Sequence, residues 1–303
     1  MRGALELEST VADLKQKRVN SPTISIITPT YNRRALLREA IESVRSQTSE
    51  HWEHLIIDDG STDGSRKMVE ALSANDSRII WLPRDGEKKG ANVCRNQGLR
   101  KSRGEYIVFL DSDDLLEQHC LEERLGLMRR NLDLDFATYH SGRFVDKMGD
   151  RSPQAPDEVF GDDLLRFLYF EHPWIITSPI WRRESLLTLG AFDEELPSWQ
   201  DVDLHIRSVC AGMNYLRIPK VDHHIRWLEE DGRTSVQQRK SADHLRKAIE
   251  IFEKFEGSVR EGPGMDWSRQ RALCWLYFFI AECWVERGDL PSALDPVILK
   301  VSC

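Results

Sequence analysis

Two acidic clusters in this sequence follow short apolar runs: Asp58-Asp59-Gly60-Ser61 comes after Leu55-Ile56-Ile57, and Asp111-Ser112-Asp113-Asp114 comes after Tyr106 to Leu110. Carboxylates one residue apart, as in Asp111 and Asp113, offer the hard oxygen ligands that Mg2+ or Mn2+ prefers. Such an ion needs few protein ligands, because substrate phosphates and water complete its shell. A second reading stays open for Asp111 and Asp114, since aspartate commonly opens the helix after a strand. The run from Asp59 to Gly64, closed by Glu70, has the outline of a calcium-binding loop. That loop needs a preceding helix, whereas a strand precedes Asp59, and Arg66 stands where an apolar residue is expected. Gly60 to Ser65 therefore reads as a tight turn, with Asp59 pointing at a ligand and Asp63 helping to start a helix.

The elements that must position these residues are legible upstream and between them. Ile24 to Ile27 reads as a buried strand stopped by Pro29, and Asn32 as the cap of a helix with apolar positions Leu37, Ala40, Ile41 and Val44. The alternation continues with strand Leu55 to Ile57, helix Ser65 to Leu72, strand Ile79 to Leu82, helix Ala91 to Leu99 and strand Tyr106 to Leu110. Strands alternating with helices predict an α/β fold, a parallel sheet with helices on both faces. Ligands gather beyond the carboxyl ends of such strands, so Pro29 to Asn32, Asp58 to Ser61 and Asp111 to Asp114 are expected to share one rim. Further on, a helix near Leu121 to Met128, a strand near Phe136 to Tyr139, a turn-rich stretch from Asp150 to Pro156, the unit Ser178 to Trp181 and a helix ended by Gly190 are expected. After about Gln237 the pattern is helical, with Ile249, Ile251, Phe252 and Phe255 on one helix and a hairpin turning at Gly288-Asp289.

The 303 residues carry a net charge of −8, so no general attraction to nucleic acid or anionic lipid is expected, and Arg33-Arg34 and Lys88-Lys89 are only local anion sites. Six scattered cysteines with no secretory leader fit reduced thiols in a cytoplasmic protein. The apolar run Ala272 to Ala281 is far short of the roughly 20 residues a bilayer span needs. It reads as a buried helix, with docking to a membrane surface or another subunit as the lesser reading.

Three strings taken in order, Ser25 to Asn32, Ile56 to Asp63 and Gly104 to Asp114, resemble family 2 glycosyltransferases of the GT-A fold. Gly90, Arg95-Asn96 and Gly98 are similar to that family's third helix. The resemblance implies a Rossmann-like, mostly parallel sheet and a nucleotide-diphosphate sugar donor, UDP foremost. Pro29 and Tyr31 would line the nucleoside together with Thr30 and Asn32, and Asp59 would accept a hydrogen bond from the base. Asp111 would contact the ribose or sugar with Ser112 beside it, Asp113 would hold a divalent Mn2+ or Mg2+, and Lys88, Lys89 and Arg95 would face the diphosphate. For the two lysines a solvated charged face is an equal reading.

In the second half, Gly190 to Glu194 followed by Trp199-Gln200-Asp201-Val202-Asp203-Leu204 is similar to the family's acceptor-side segment, where a Glu-Asp pair is usual. Gln200 replaces the glutamate, and Asp201 keeps the position of the catalytic base, with Trp199 and Gln200 as substrate contacts. The alternative for Asp201 is an N-cap of the helix running toward Ala211. His223-His224-Ile225-Arg226-Trp227 stands where processive, membrane-embedded relatives carry Gln-x-x-Arg-Trp, which favours single additions; the two histidines read as a packed or solvent-facing pair. The resemblance thus implies an inverting, metal-dependent transferase acting on a glycan or lipid-linked glycan, cytoplasmic or peripheral on the inner face of the cell membrane. Residues 1–20 would form a tail or helix, 21–120 the donor half, 121–237 the acceptor half and 238–303 a helical extension suited to a homodimer. A sugar-phosphate nucleotidyltransferase would need a Gly-rich loop where Thr28 to Asn32 stands. A non-catalytic scaffold acting through Trp275, Tyr277, Phe278, Phe279 and Trp284 is the other alternative, against ordinary core packing of those rings.

Overall fold

The computed structural model describes residues 22–148, 150, 161–227 and 241–289. The expected N-terminal tail, most of the turn-rich stretch, Cys303 and the helix after Gly288 fall outside them. The described residues form one eight-stranded sheet in the order β3-β2-β1-β4-β7-β6-β8-β5. β1 (Ile24–Thr30), β2 (Trp52–Asp58), β3 (Ile79–Pro83) and β4 (Tyr106–Phe109) are mutually parallel. β7 (Pro179–Arg182) runs antiparallel to both β4 and β6 (Phe136–Phe144), while β8 (Tyr215–Arg226) is parallel to β6 and antiparallel to the short β5 (Leu115–Leu116). The α/β fold is thus as expected in the first half, and antiparallel pairings enter only from β7 onward.

Alternate residues of the central strands enter different cores, as the pleat requires. Ile24, Ile26, Ile56 and Val108 pack under α1 (Arg34–Arg45), α2 (Ser65–Ser73) and α4 (Cys120–Arg130). Ile27, Leu55, Ile57, Ile107 and Phe109 face α3 (Ala91–Lys101) and the later helices α5 (Asp163–Leu168), α7 (Gln200–Cys210), α8 (Ala242–Glu261) and α9 (Trp267–Glu286). Gly98 lets α3 approach β1: a Cβ there would collide with the side chain of Ile27. α6 (Arg183–Leu189) ends at Gly190, whose φ of 89° is the expected left-handed stop.

β8 escapes a sequence reading because its inward side chains are polar. Asp222 is buried and accepts from Arg124 Nε at 2.7 Å and Nη2 at 2.8 Å, while His223 sits between Asp222 and Ser178. His224 meets Glu117 at 2.6 Å. The histidine pair is therefore packed and not solvent-facing, the first of the two readings its sequence left open. Burial pushes the Asp222 carboxyl upward, but the Arg124 guanidinium and the bond to His223 outweigh it and leave it at about 2. A carboxyl depressed on folding stabilises fully above its ordinary value and loses that contribution as pH falls toward its folded value. The loss is on the order of 2 kcal/mol between about pH 5 and pH 2. In urea melts, the stability gap between the protein and Asp222→Asn is therefore expected to narrow by that amount on acidification; a gap that stays constant would exclude the ion pair as its source.

α8 lies against α7, and α9 against α8 and α5. Ala272, Leu273, Leu276, Tyr277, Ile280 and Trp284 of α9 are buried, so the apolar run is a packed helix on one face. Trp275 is 38% exposed with its ring against Tyr169 and Phe170, and Phe278 is 57% exposed, which corrects at Phe278 the expectation that the aromatic cluster packs as core. No helix among the described residues is long and apolar enough to cross a membrane.

Candidate active site

The site opens where β1 and β4 part. Pairing between them ends at Ile27 with Phe109, and the Leu110 N–H donates to the Ile27 carbonyl at 3.0 Å. Thr30 faces the other way, accepting from the Asp59 N–H at 2.9 Å. Pro29, between them in phase, turns its N–H-less nitrogen toward the side that β4 has already left, so the strand continues to Thr30 instead of stopping at Pro29. Beyond it Tyr31 is 55% exposed and Asn32 takes a left-handed φ of 50°.

Asn32 does not cap α1, contrary to expectation. Its N–H donates to Ser61 Oγ at 2.9 Å and its Oδ1 accepts from the Thr62 N–H at 2.8 Å, which ties the first strand end to the second. The first turn of α1 is satisfied from across the rim, where the Arg34 N–H donates to Asp63 Oδ2 at 2.8 Å. Asp63 also accepts from the Ser65 N–H and Oγ, so it starts α2 as expected. Asp58 folds back on the turn, accepting from the N–H groups of Gly60 and Ser61, and Gly60 supplies the φ of 98° that the turn needs. Asp59 points instead along the rim. Arg84 Nε donates to its Oδ1 at 2.5 Å and the Gly90 N–H to its Oδ2 at 3.1 Å.

The loop after β4 carries the second set of carboxylates. α4 begins at Cys120, so neither Asp111 nor Asp114 is a helix cap. Asp114 turns inward, accepting from Thr177 Oγ1 at 3.0 Å, and burial followed by the Asp113 and Asp111 charges raises its carboxyl well above the usual range. Asp113 accepts from Arg33 Nη1 at 2.5 Å. Burial and the Asp111 charge push the Asp113 carboxyl up, and Arg33 opposes them. Asp111 accepts from Arg95 Nη2 at 2.7 Å, and Ser112 between the two is buried. Asp59, Asp111 and Asp113 are thus each matched by an arginine. Two oxygen donors with no third His, Cys, Asp or Glu among the described residues fit a hard divalent ion that takes its remaining ligands from phosphate and water.

Arg95 links this loop to the start of α7. Its side chain is 7% exposed, and besides Asp111 it donates through Nη1 to Gln200 Oε1 at 3.2 Å. Gln200 in turn donates to the Leu196 carbonyl at 3.4 Å, which a glutamate could not do. Asn92 and Asn96 of α3 bond the backbone of Asp193 and Phe192, seating the segment before α7 on α3. α7 is capped by the backbone of Trp199, at φ 50°, without a side-chain cap, so Asp201 is not the N-cap but lies in the first turn. The strained Trp199 is held by its ring, stacked on Phe170 at 5.5 Å and packed on His244 and Phe252. One turn below Asp201, His205 is buried against Phe167, Trp174 and Trp181, and burial lowers its imidazole to about 3, keeping it neutral.

Pro29, Thr30, Tyr31, Asn32, Asp59, Asp111, Ser112 and Asp113 thus lie on the carboxyl edge of β1, β2 and β4, and Arg95 connects that edge to Gln200, next to Asp201. Lys88 and Lys89 are exposed, and Lys88 pairs with Glu195 on the surface. Sequence reasoning missed Arg33 as the partner of Asp113, Arg84 as the partner of Asp59, and Arg226, which donates through Nε to the Asp113 carbonyl at 3.3 Å and through Nη2 to Glu39 at 2.5 Å.

Residues 25–186 match the profile described as Glycosyl transferase family 2. Asp59, Arg95, Asp111 and Asp113 lie inside that span and Asp201 beyond it. The chain is 36% identical over 148 residues to the putative teichuronic acid biosynthesis glycosyltransferase TuaG of Bacillus subtilis (strain 168), covering 48% of this chain and 58% of that one. It is 32% identical over 133 residues to the GalNAc(5)-diNAcBac-PP-undecaprenol beta-1,3-glucosyltransferase of Campylobacter jejuni, covering 44% and 42%. The chain spans about half the length of these curated relatives. Among solved structures, S. aureus TarS 1-349 in complex with UDP-GlcNAc superposes with a TM-score of 0.69 at 20% identity, over 92% of this chain and 81% of that one. Mannosyltransferase PcManGT from Pyrobaculum calidifontis, in complex with GDP-Man and Mn2+, gives 0.61 at 18% identity over 93% and 75%. These two likenesses place the fold among GT-A glycosyltransferases. With the profile covering more than half of its 303 residues, the chain belongs to glycosyl transferase family 2.

Proposed function

We propose that the protein is an inverting glycosyltransferase that moves one sugar at a time from a nucleotide-diphosphate donor, UDP-linked, to an acceptor hydroxyl in cell-surface polysaccharide or glycolipid assembly. The observation that carries this reading is the Arg95 bridge, which joins Asp111 of the donor loop to Gln200, the residue before Asp201. The bridge brings the start of α7 to the loop after β4, which supports a reading in which Asp201 and that loop serve one cleft. UDP-sugar and GDP-mannose complexes of TarS and PcManGT support a nucleotide-sugar ligand for this fold.

Asp201 accepts the proton of the acceptor hydroxyl while that oxygen attacks the anomeric carbon. The bond from that carbon to the diphosphate oxygen breaks on the opposite side, so the configuration inverts and the nucleoside diphosphate leaves with the bonding pair. Asp59 accepts from the base, Pro29, Thr30, Tyr31 and Asn32 line the nucleoside, and Asp111 and Ser112 hold the ribose or sugar. Trp199 and Gln200 border the acceptor side, and Arg95 faces the diphosphate. When a divalent cation is bound by Asp113, with Asp111 beside it, it supplies positive charge against the leaving diphosphate.

A ligand bound only by the folded chain raises its melting temperature. At a hundredfold excess over Kd, UDP with Mn2+ is expected to raise it by roughly 5 °C or more, with GDP giving less. A panel in which no nucleotide diphosphate or nucleotide sugar shifts the melt, with or without Mn2+, would remove the proposal.

A further inference from the structure

Helix α9 buries one face on α8 and α5 and leaves a stripe largely uncovered by the described residues, with Trp275 at its border touching the rings of Tyr169 and Phe170. Trp267 is 74% exposed, Trp275 38%, Phe278 57% and Val285 52%. Arg271 and Glu282 are exposed on the same stripe. Positions 271, 275, 278, 282 and 285 advance by steps of four and three residues, the spacing of a helix–helix seam. A run of large apolar side chains on one side of a surface helix marks an interaction site more often than isolated exposed residues do.

The charges on the stripe select its partner. The sequence from Arg271 to Glu282 is its own complement about a point between Leu276 and Tyr277. Laid antiparallel on a second copy, Arg271 meets Glu282 of the partner subunit and Trp275 meets Phe278 of the partner subunit, and the two-fold axis repeats both pairs. Laid parallel, the stripe would set like charges against each other. Within its own chain Glu282 has no hydrogen bond or ion pair among the described residues, and Arg271 lies over the Trp267 ring at 5.4 Å. Two central aromatic pairs bounded by two ion pairs have the apolar core and charged rim of a protein interface, and the self-complementary form is that of a two-fold dimer.

We infer that two copies of the chain associate through antiparallel α9 helices, with Trp275 and Phe278 at the centre and Arg271 and Glu282 at the edges. The seam does not depend on what the cleft transfers.

Sedimentation velocity of the full chain over a wide concentration range tests it. The protein is expected to be a dimer, and Phe278→Asp to weaken the dimer by more than about 30-fold, since a central aromatic anchor is removed from both copies. Arg271→Glu alone and Glu282→Arg alone are each expected to weaken it. The double variant carrying both changes is expected to regain the dimer, because every pair is restored with its signs exchanged. Circular dichroism and melting of each variant separate a lost seam from a lost fold. A chain that is monomeric throughout, a dimer indifferent to a folded Phe278→Asp, a double variant no better than either single one, or a monomer that instead binds anionic vesicles through this stripe overturns the inference.

Discussion

Asp201→Asn is expected to lower turnover by about a thousandfold while leaving donor binding intact, because a positioned carboxylate that takes a proton in the transition state contributes roughly 10²–10⁴ in rate. The asparagine keeps the shape of the first turn of α7, and the turn does not depend on it, since the helix is capped through Trp199 and not through Asp201. Stability should therefore be near that of the unchanged protein. The neighbouring Asp203 provides the contrast. It is buried and paired with Arg207 Nη2 at 2.8 Å, and Arg207 in turn holds the carbonyls of Leu189 and Ala191 before α7. Asp203→Asn is expected to lower the melting temperature, whereas Asp201→Asn is expected to lower only kcat. Product formation with a UDP-sugar and the melting shift with UDP, read side by side, distinguish the two. An Asp201→Asn protein with undiminished transfer would take the base away from this position and leave the nucleotide site standing.

The carboxyl edge of β1, β2 and β4 was legible because its signals are local. Apolar, β-branched runs such as Leu55 to Ile57 each end in the residues that the fold then displays on its carboxyl edge, and the strand itself sets where those residues emerge. The counter-charges were not legible. Arg33 reaches Asp113 across 80 positions and Arg84 reaches Asp59 across 25, and neither spacing has a period that a sequence pattern can register. β8 was missed for a related reason. Its buried end is held by Asp222, His223 and His224 meeting Arg124, Ser178 and Glu117 from other elements, so the buried positions of the strand are polar and carry no apolar alternation. Asn32 illustrates the same limit at a single position: its side chain was equally suited to capping its own helix or to receiving Thr62, and tertiary approach of the second strand end decided the outcome. The C-terminal helices show the limit on composition, because the run Ala272 to Ala281 is apolar on nearly every side while only one side is covered.

Asp113→Asn is expected to abolish the part of UDP stabilisation that depends on Mn2+ and to lower turnover by about 10²–10³, the usual scale for removing one group that stabilises charge developing on a leaving atom. The surroundings of the carboxyl account for both effects. Burial and the nearby Asp111 charge both disfavour its ionised form, and Arg33 is the cation that offsets them in the protein alone. Arg33 is 38% exposed and comes from the residue before α1, so it can yield its place without disturbing the core, whereas the loop from Asp111 to Asp114 is fixed beneath by Thr177 and by the Arg226 contact to the Asp113 carbonyl. Asparagine keeps one oxygen but no charge, so the fold should tolerate it and the cation should not. Melting curves with UDP alone, with Mn2+ alone and with both resolve the effect: in the unchanged protein the pair should exceed the sum of the two, and in Asp113→Asn that excess should vanish while the shift with UDP alone remains. Retention of the excess would move the cation to other oxygens of the cleft, and loss of the shift with UDP alone would show that Asp113 supports the nucleotide site itself.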